Sequence, residues 1–247
     1  MAIRTRNKTL GATAALMLAG GLVLGAAPAQ ASNRPIDITG YTVADVVVAN
    51  NKCKSVLVTA KAKHQKDFAF GGVDAFITRK GDDVTSAGFD FENKKKTSAN
   101  DRVEICPDDY GLGVYSVGPA YVFAFFEYKQ DGTLYEDARD YWDNTKKSFN
   151  VRGQTKSSLS AKRSGKKVTL SVKASVYSPE KDRYIQYNPK NAKLQVKSGK
   201  TWKTVKTLKL AKGQASVTVS DAKKKTYRVT VPTASWAVAT TSKAISK

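Results

Sequence analysis

Strict alternation of apolar and polar residues is the feature that most constrains the fold of this chain. The alternation occupies four segments in the C-terminal part: Val168–Val176, Leu194–Val196, Ala215–Val219 and Tyr227–Val231. A period of two places successive side chains on opposite faces, as in half-buried antiparallel strands. Turn residues around Gly165, Gly199 and Gly213 separate the segments. We therefore predict a β-sandwich in this part of the chain.

Short apolar and aromatic runs predict further strands in the preceding part. These runs are residues 42–48, 55–62, 73–78, 89–91, 103–105, 121–128 and 133–135. Asp131 and Gly132 separate the last two, in the manner of a hairpin turn. The predicted fold class is all-β, with two tandem immunoglobulin-like β-sandwich domains after a cleaved signal peptide.

The N-terminal residues have the three-part pattern of a secretory signal. Arg4, Arg6 and Lys8 precede an Ala/Leu/Gly-rich stretch, and Ala29 and Ala31 supply the small residues of a cleavage site. We expect residues 1–31 to be removed, and the remaining chain to be secreted, either extracellular or held non-covalently at a cell surface. No later stretch is apolar enough to predict a transmembrane segment in the mature chain.

Two cysteines, Cys53 and Cys106, are the only ones in the chain. An even number in an exported protein predicts a disulfide. The alternatives are a reactive thiol and a metal ligand. The second is disfavoured because His64 is the only histidine, and metal sites usually gather more ligands.

Charge divides the chain into two unlike parts. Residues 32–150 hold 16 basic and 18 acidic side chains, whereas residues 151–247 hold 23 basic and three acidic ones, within a total of +21. Such a change of composition predicts two domains with different surfaces. We place an N-terminal β-sandwich-like domain at 32–150 and a Lys-rich immunoglobulin-like domain at 151–247, with a hinge at 149–154.

Alternation also predicts where the lysines of the second domain lie. If the apolar residues point inward, an outer face carries the candidate anion-binding side chains, which are Lys173, Lys193, Lys197, Lys203, Lys206 and Lys209. Such a surface either keeps the protein soluble and protects sheet edges or attracts polyanions in a salt-dependent way. The partners it predicts are an anionic cell-wall polymer, an acidic polysaccharide or another anionic surface. Lysine outnumbers arginine here, which argues against sequence-specific nucleic-acid binding.

The segments Gly199–Val205 and Tyr227–Val229, with Gly213 between them, resemble the immunoglobulin-like repeats of secreted and surface proteins of bacteria. The region from Phe149 onward resembles the C-terminal region of small exported actinobacterial proteins of undefined activity. The resemblance implies a fold for this region, and it brings no catalytic residues with it.

No catalytic, cofactor or metal-binding motif is recognisable, so we expect no cofactor and no enzymatic activity. His64 is predicted to be exposed and inert. The clustered acids at 82–83, 108–109 and 137–143 are predicted to be solvated turns rather than a calcium site. The leading hypothesis is an exported binding or adhesion protein. The alternatives are an extracellular enzyme or enzyme inhibitor with its site in the N-terminal domain, and a self-assembling surface component. A protein partner also remains open, including the basic half of another copy.

Overall fold

The computed structural model of the protein describes residues 34–247, which form one compact unit. The predicted signal peptide at 1–31 lies outside the described residues. No helix within the described part is long and apolar enough to cross a membrane.

Strands dominate the described chain, with one short helix, α1 (Pro107–Tyr110), and one 3₁₀ turn (Pro179–Lys181). The strands of the first half are β1 (Ile36–Val43), β2 (Val46–Val48), β3 (Lys54–His64), β4 (Phe68–Arg79), β5 (Asp82–Phe91), β6 (Ser98–Ile105), β7 (Gly113–Gln130), β8 (Thr133–Asp143) and β9 (Lys147–Gly153). Those of the second half are β10 (Thr155–Ser164), β11 (Lys167–Ser178), β12 (Arg183–Gln186), β13 (Ala192–Ser198), β14 (Thr201–Leu208), β15 (Gln214–Ser220), β16 (Thr226–Val231), β17 (Thr240–Thr241) and β18 (Ile245–Ser246).

Four sheets arrange these strands in two sandwiches. The first sandwich consists of sheet β1-β3-β6 and sheet β2-β9-β7-β4-β5, with β8 added beside β7. Its core includes Phe89, Phe91, Tyr115 and Phe149, all essentially buried. The second sandwich consists of sheet β10-β11-β12, in which β15 pairs with β11, and sheet β14-β13-β16-β17, in which β18 pairs with β16.

The second core contains the apolar residues whose alternation predicted the strands. Val168, Leu170 and Val172 of β11 are completely buried, as are Leu194 and Val229. The structure therefore confirms the predicted fold class, all-β with two tandem immunoglobulin-like β-sandwiches.

The disulfide between Cys53 and Cys106 is present. Lys54 of β3 pairs with Ile105 of β6, so the two cysteines lie directly beyond a pair that the sheet already holds together. In antibody domains the corresponding bond crosses the core between two sheets. Here it joins the ends of neighbouring strands of one sheet, and Cys53 is exposed.

Two segments differ from the sequence prediction. The run 42–48 is two strands, because the chain breaks at Asp45, whose carboxylate accepts hydrogen bonds from Arg152 and from the Asn150 backbone N–H. The predicted hinge at 149–154 is largely strand β9, which pairs with β2 and β7. Phe149 and Val151 are buried in the first core, and this burial holds the segment in the sheet.

The two sandwiches meet around Gly153 and Tyr177. The Gly153 N–H donates to the Trp236 carbonyl at 3.0 Å, and the Val238 N–H donates to the Gly153 carbonyl at 3.1 Å. Tyr177 of β11 packs into the first core although its strand belongs to the second sandwich. The boundary at 150/151 stays a prediction.

Candidate functional site

The outer face of sheet β10-β11-β12, including β15, is built from hydroxyl, amide and lysine side chains. Residues paired directly across antiparallel strands share a face. Lys173 pairs with Ser158 on one side and with Gln214 on the other, and Ser171 pairs with Ser160 and Ser216. The intervening residues Val168, Leu170 and Val172 are buried, so this polar set faces away from the core. We name it the lysine–hydroxyl face.

A hollow of about 490 Å³ lies at one end of the lysine–hydroxyl face. Three lysines, Lys156, Lys173 and Lys212, line it from three different parts of the chain. Tyr184, Gln214 and several hydroxyl side chains complete the lining. The hollow therefore combines cationic groups with hydrogen-bond donors and acceptors and one aromatic ring.

Backbone contacts position these side chains. The turn that carries Lys212 is held by paired hydrogen bonds between Ala211 and Gln214, and the Ala174 N–H donates to the Gly213 carbonyl at 2.8 Å. The Gly213 N–H in turn donates to Asn188 Oδ1 at 2.7 Å. The turn is thus fixed against β11.

Lys156 reaches the hollow from β10. Its Nζ lies 3.7 Å from the centre of the Tyr184 ring, within the range of a cation–π contact. The contact holds one ammonium group at the wall of the hollow, where it can meet a negatively charged group of a ligand.

None of the three acids in the described Lys-rich part lines this hollow. Asp221 binds Lys225 and accepts a hydrogen bond from the Tyr227 hydroxyl; these hydrogen bonds hold the pKa of Asp221 below its usual value. Asp182 accepts a hydrogen bond from the Tyr177 hydroxyl, and Glu180 lies beside Gly111 of the first sandwich. The positive charge around the hollow therefore has no neutralising carboxylate in its lining.

The six lysines predicted as an anion-binding set are all exposed, but the structure does not bring them together. Only Lys173 lies on the lysine–hydroxyl face. Lys193 and Lys197 lie on β13, in the other sheet, and Lys209 follows the end of β14.

The prediction that Lys203 and Lys206 cover an outer face is wrong. They pair with Val196 and Leu194, so they lie on the core side of β14 and are exposed because β14 is an edge strand. A bulge at Val205 shifts the register, so both lysines lie on one side of the strand although they are three residues apart in sequence.

Sequence reasoning missed Lys156, Lys212 and Tyr184. For Lys156 the sequence signal is weak, because the only apolar residues that alternate along β10 are Leu159 and Ala161, and both are half-buried. Lys212 lies in a turn and Tyr184 in a strand of four residues, where periodicity gives little information.

A second unusual surface lies on the outer side of strands β5, β4, β7 and β8. One cross-strand row reads Asp90, Gly72, Phe123 and Asp140. The next row reads Gly88, Asp74, Tyr121 and Trp142. The pairs Phe70–Phe125 and Phe76–Trp142 flank these rows, with ring centres 4.5 and 5.6 Å apart. We name this surface the acidic–aromatic face.

Much of this aromatic surface is in contact with solvent. Phe70 is 49% exposed, Phe123 39% and Trp142 53%. The Tyr121 hydroxyl donates to Asp140 Oδ2 at 2.8 Å, and this hydrogen bond raises the pKa of Tyr121. The aromatic residues between 110 and 142 thus divide between core and surface, and only the pairing of strands assigns each residue to its side.

His64 is half-buried, so the prediction that it is exposed is wrong. Its ring stacks on Phe68 at 4.4 Å and meets the edge of Phe91 at 5.2 Å. Nε2 lies 2.8 Å from the Lys96 carbonyl oxygen, which fixes it as the donor in this pair. Within residues 34–247, no carboxylate or serine bonds to this ring, and the Nδ1 atom is buried without a partner. This geometry gives no support to His64 as a general base.

The acids at 137–143 lie in strand β8, not in a turn, which corrects the sequence prediction. Asp143 is buried; it forms an ion pair with Arg34 at 3.2 Å and accepts the Thr145 N–H at 2.8 Å. In the described part of the chain, no group of three or more His, Cys, Asp or Glu side chains could hold a metal ion.

No protein-family model matches the chain, and no curated protein matches its sequence. Among solved structures, a marsupial T cell receptor is 10% identical, over 84% of this chain and 72% of that chain, with a TM-score of 0.40. The human OSCAR ligand-binding domain is 13% identical, over 83% of this chain and 96% of that chain, with a TM-score of 0.27. At these scores the matches carry no argument about function, and the predicted bacterial origin stays a prediction.

Proposed function

We propose that this protein is an extracellular, non-enzymatic binding protein whose second sandwich associates with anionic envelope or matrix polymers through the lysine–hydroxyl face. The observation that carries the proposal is the hollow where Lys156, Lys173 and Lys212 converge without a carboxylate in the lining.

The composition of the hollow favours a polymer that carries both hydroxyl and acidic groups. Ammonium groups attract carboxylates or phosphates without strict geometry. The neighbouring Ser158, Gln186 and Gln214 side chains can exchange hydrogen bonds with hydroxyls of a repeating unit. Acidic polysaccharides and teichoic-type polymers have both kinds of group.

The charge of the whole second part strengthens the attraction at a distance. Residues 151–247 hold 23 basic side chains and three acidic ones, and this imbalance produces a strongly positive potential around the second sandwich. The Debye length falls from about 10 Å at 0.1 M salt to about 3 Å at 1 M, so the association should be released by salt.

The test compares two triple variants that lose the same charge. One is Lys156→Gln/Lys173→Gln/Lys212→Gln, in the hollow; the control is Lys223→Gln/Lys224→Gln/Lys243→Gln, at exposed positions outside it. Binding of the chain from Ser32 onward to purified teichoic-type polymer and to polygalacturonate is measured by co-sedimentation over a salt series.

We expect the hollow variant to bind at least about tenfold more weakly than wild type, because three ion pairs each contribute up to about 1 kcal/mol. The control should lose less than about threefold, since only long-range attraction changes. Equal losses would refute the assignment to the hollow. No binding at low salt, or binding that persists in molar salt, would refute the function.

A further inference from the structure

The acidic–aromatic face carries no positively charged side chain from β5 at one side to β8 at the other. No Lys or Arg occupies an outward position in the four strand segments that form this face. The segments are Ser86–Asp90 of β5, Phe70–Phe76 of β4, Tyr121–Glu127 of β7 and Glu136–Trp142 of β8. These outward positions hold only acidic, aromatic and small side chains. The part of the chain that carries this face, residues 32–150, holds 16 basic and 18 acidic side chains, so the basic residues present there lie elsewhere.

The face is shaped to receive another surface. A Cβ atom on Gly72 would overlap the Phe123 ring, so this ring lies against the bare backbone of β4. Beside it lies a hollow of about 520 Å³, whose lining includes Phe70, Gly71, Asp90 and Phe123. Within the described residues, no hydrogen bond or ion pair engages the carboxylates of Asp74 and Asp90.

Such a face requires a partner that is both apolar and cationic. Exposed aromatic side chains that cluster on a soluble protein indicate an interaction surface. Ammonium and guanidinium groups bind both to carboxylates and to the faces of aromatic rings. A purely anionic partner would leave these carboxylates desolvated and unpaired.

The β13–β14 hairpin of the same chain has the complementary composition. Residues 192–208 contain no acid, and they include Lys197, Lys203 and Lys206. Val205 is 44% exposed at the bulge, and Trp202 is half-buried under Arg228, whose guanidinium carbon lies 4.2 Å from the ring centre. The lysine–hydroxyl face, by contrast, offers cations without comparable apolar surface.

Neither surface covers the other within one chain, since both are exposed and lie in different sandwiches. We propose that the acidic–aromatic face of one copy binds the β13–β14 hairpin of a second copy. The resulting dimer still presents one free face and one free hairpin, so the contact is head-to-tail and continues beyond a dimer. The contact does not involve the polymer-binding hollow, so the two proposals fail independently.

The test uses two variants and their mixture. The face variant is Asp74→Lys/Asp90→Lys, and the hairpin variant is Lys203→Gln/Lys206→Gln. The control, Lys223→Gln/Lys224→Gln, loses the same charge as the hairpin variant at positions outside it. The chain from Ser32 onward is examined by sedimentation velocity without polymer, at low and at 1 M salt, after circular dichroism and thermal unfolding have shown that each variant is folded.

We expect wild type and control to form species larger than dimers at low salt and to dissociate in 1 M salt. Each interface variant alone should be monomeric, with association weakened at least about tenfold. Their equimolar mixture should stop at a 1:1 dimer, because one intact face meets one intact hairpin and both remaining ends are blocked.

Three outcomes would overturn the proposal. They are a wild type that stays monomeric at every concentration in low salt, an interface variant that assembles like wild type, and a mixture that forms no dimer. A monomeric wild type that binds polylysine, while the face variant does not, would overturn self-association and assign the face to a foreign basic protein.

Discussion

Removal of the disulfide between Cys53 and Cys106 should reduce the free energy of unfolding by about 4 kcal/mol. The two cysteines are 53 residues apart in sequence. In the chain-entropy model, a cross-link that closes a loop of this length stabilises the folded state by about 4 kcal/mol, because it restricts the unfolded chain.

The position of the bond makes this a clean perturbation. Lys54 and Ile105 already pair in the sheet next to the cysteines, so the folded geometry does not depend on the bond. Cys53 is exposed and Cys106 half-buried, so replacement by serine leaves no large cavity. Nearly all of the effect should therefore come from the unfolded state.

The assay is urea unfolding of the double variant Cys53→Ser/Cys106→Ser, followed by circular dichroism and compared with wild type. Wild type reduced by a phosphine serves as the matched control and should unfold at the same urea concentration as the double variant. A loss below about 1 kcal/mol would refute the reasoning, since it would mean that the unfolded chain is already compact around this loop. A difference between the two reduced forms would show that serine itself disturbs packing.

Three further changes test other parts of the structure. Gly153→Ala should lower the melting temperature, because a Cβ there would collide with the Tyr177 carbonyl at the junction, whereas Gly88→Ala, whose Cβ would meet only an atom 3.6 Å away, should not. Leu170→Ala should cost about 3 kcal/mol in urea unfolding, because the side chain is completely buried in the second core; a cost below about 1 kcal/mol would contradict this packing. Hydrogen bonds lower the pKa of Asp221 below the usual value of 3.8, so its contribution to stability is present above about pH 4 and is lost as the pH falls through the lowered pKa. Asp221→Asn should therefore melt below wild type at pH 7 and approach it near pH 2; a constant difference across this range would exclude the linkage.

The two proposals together describe a protein with two separate binding surfaces. The lysine–hydroxyl face would attach the chain to a polymer, and the acidic–aromatic face would attach it to another copy. Polymer binding concentrates the protein, so it should promote self-association even when the head-to-tail contact is weak.

Alternation alone determined much of this protein. The period of two around Leu170 and Val229 fixes which side chains are buried, because adjacent residues in a strand point to opposite faces. The pairing of the two cysteines and the uneven distribution of charge could likewise be predicted from the sequence. These are properties of short segments or of composition, which depend little on which strands become neighbours.

Tertiary structure decided which side chains meet. Lys156, Lys173 and Lys212 come from a weakly patterned strand, a well-patterned strand and a turn, and only the β10–β11–β15 pairing brings them around one hollow. A single bulge at Val205 places Lys203 and Lys206 on the same side of β14, whereas a regular strand would place them on opposite sides. Strand pairing and bulges depend on contacts between residues far apart in sequence. The apolar/polar alternation within one segment contains no information about those contacts.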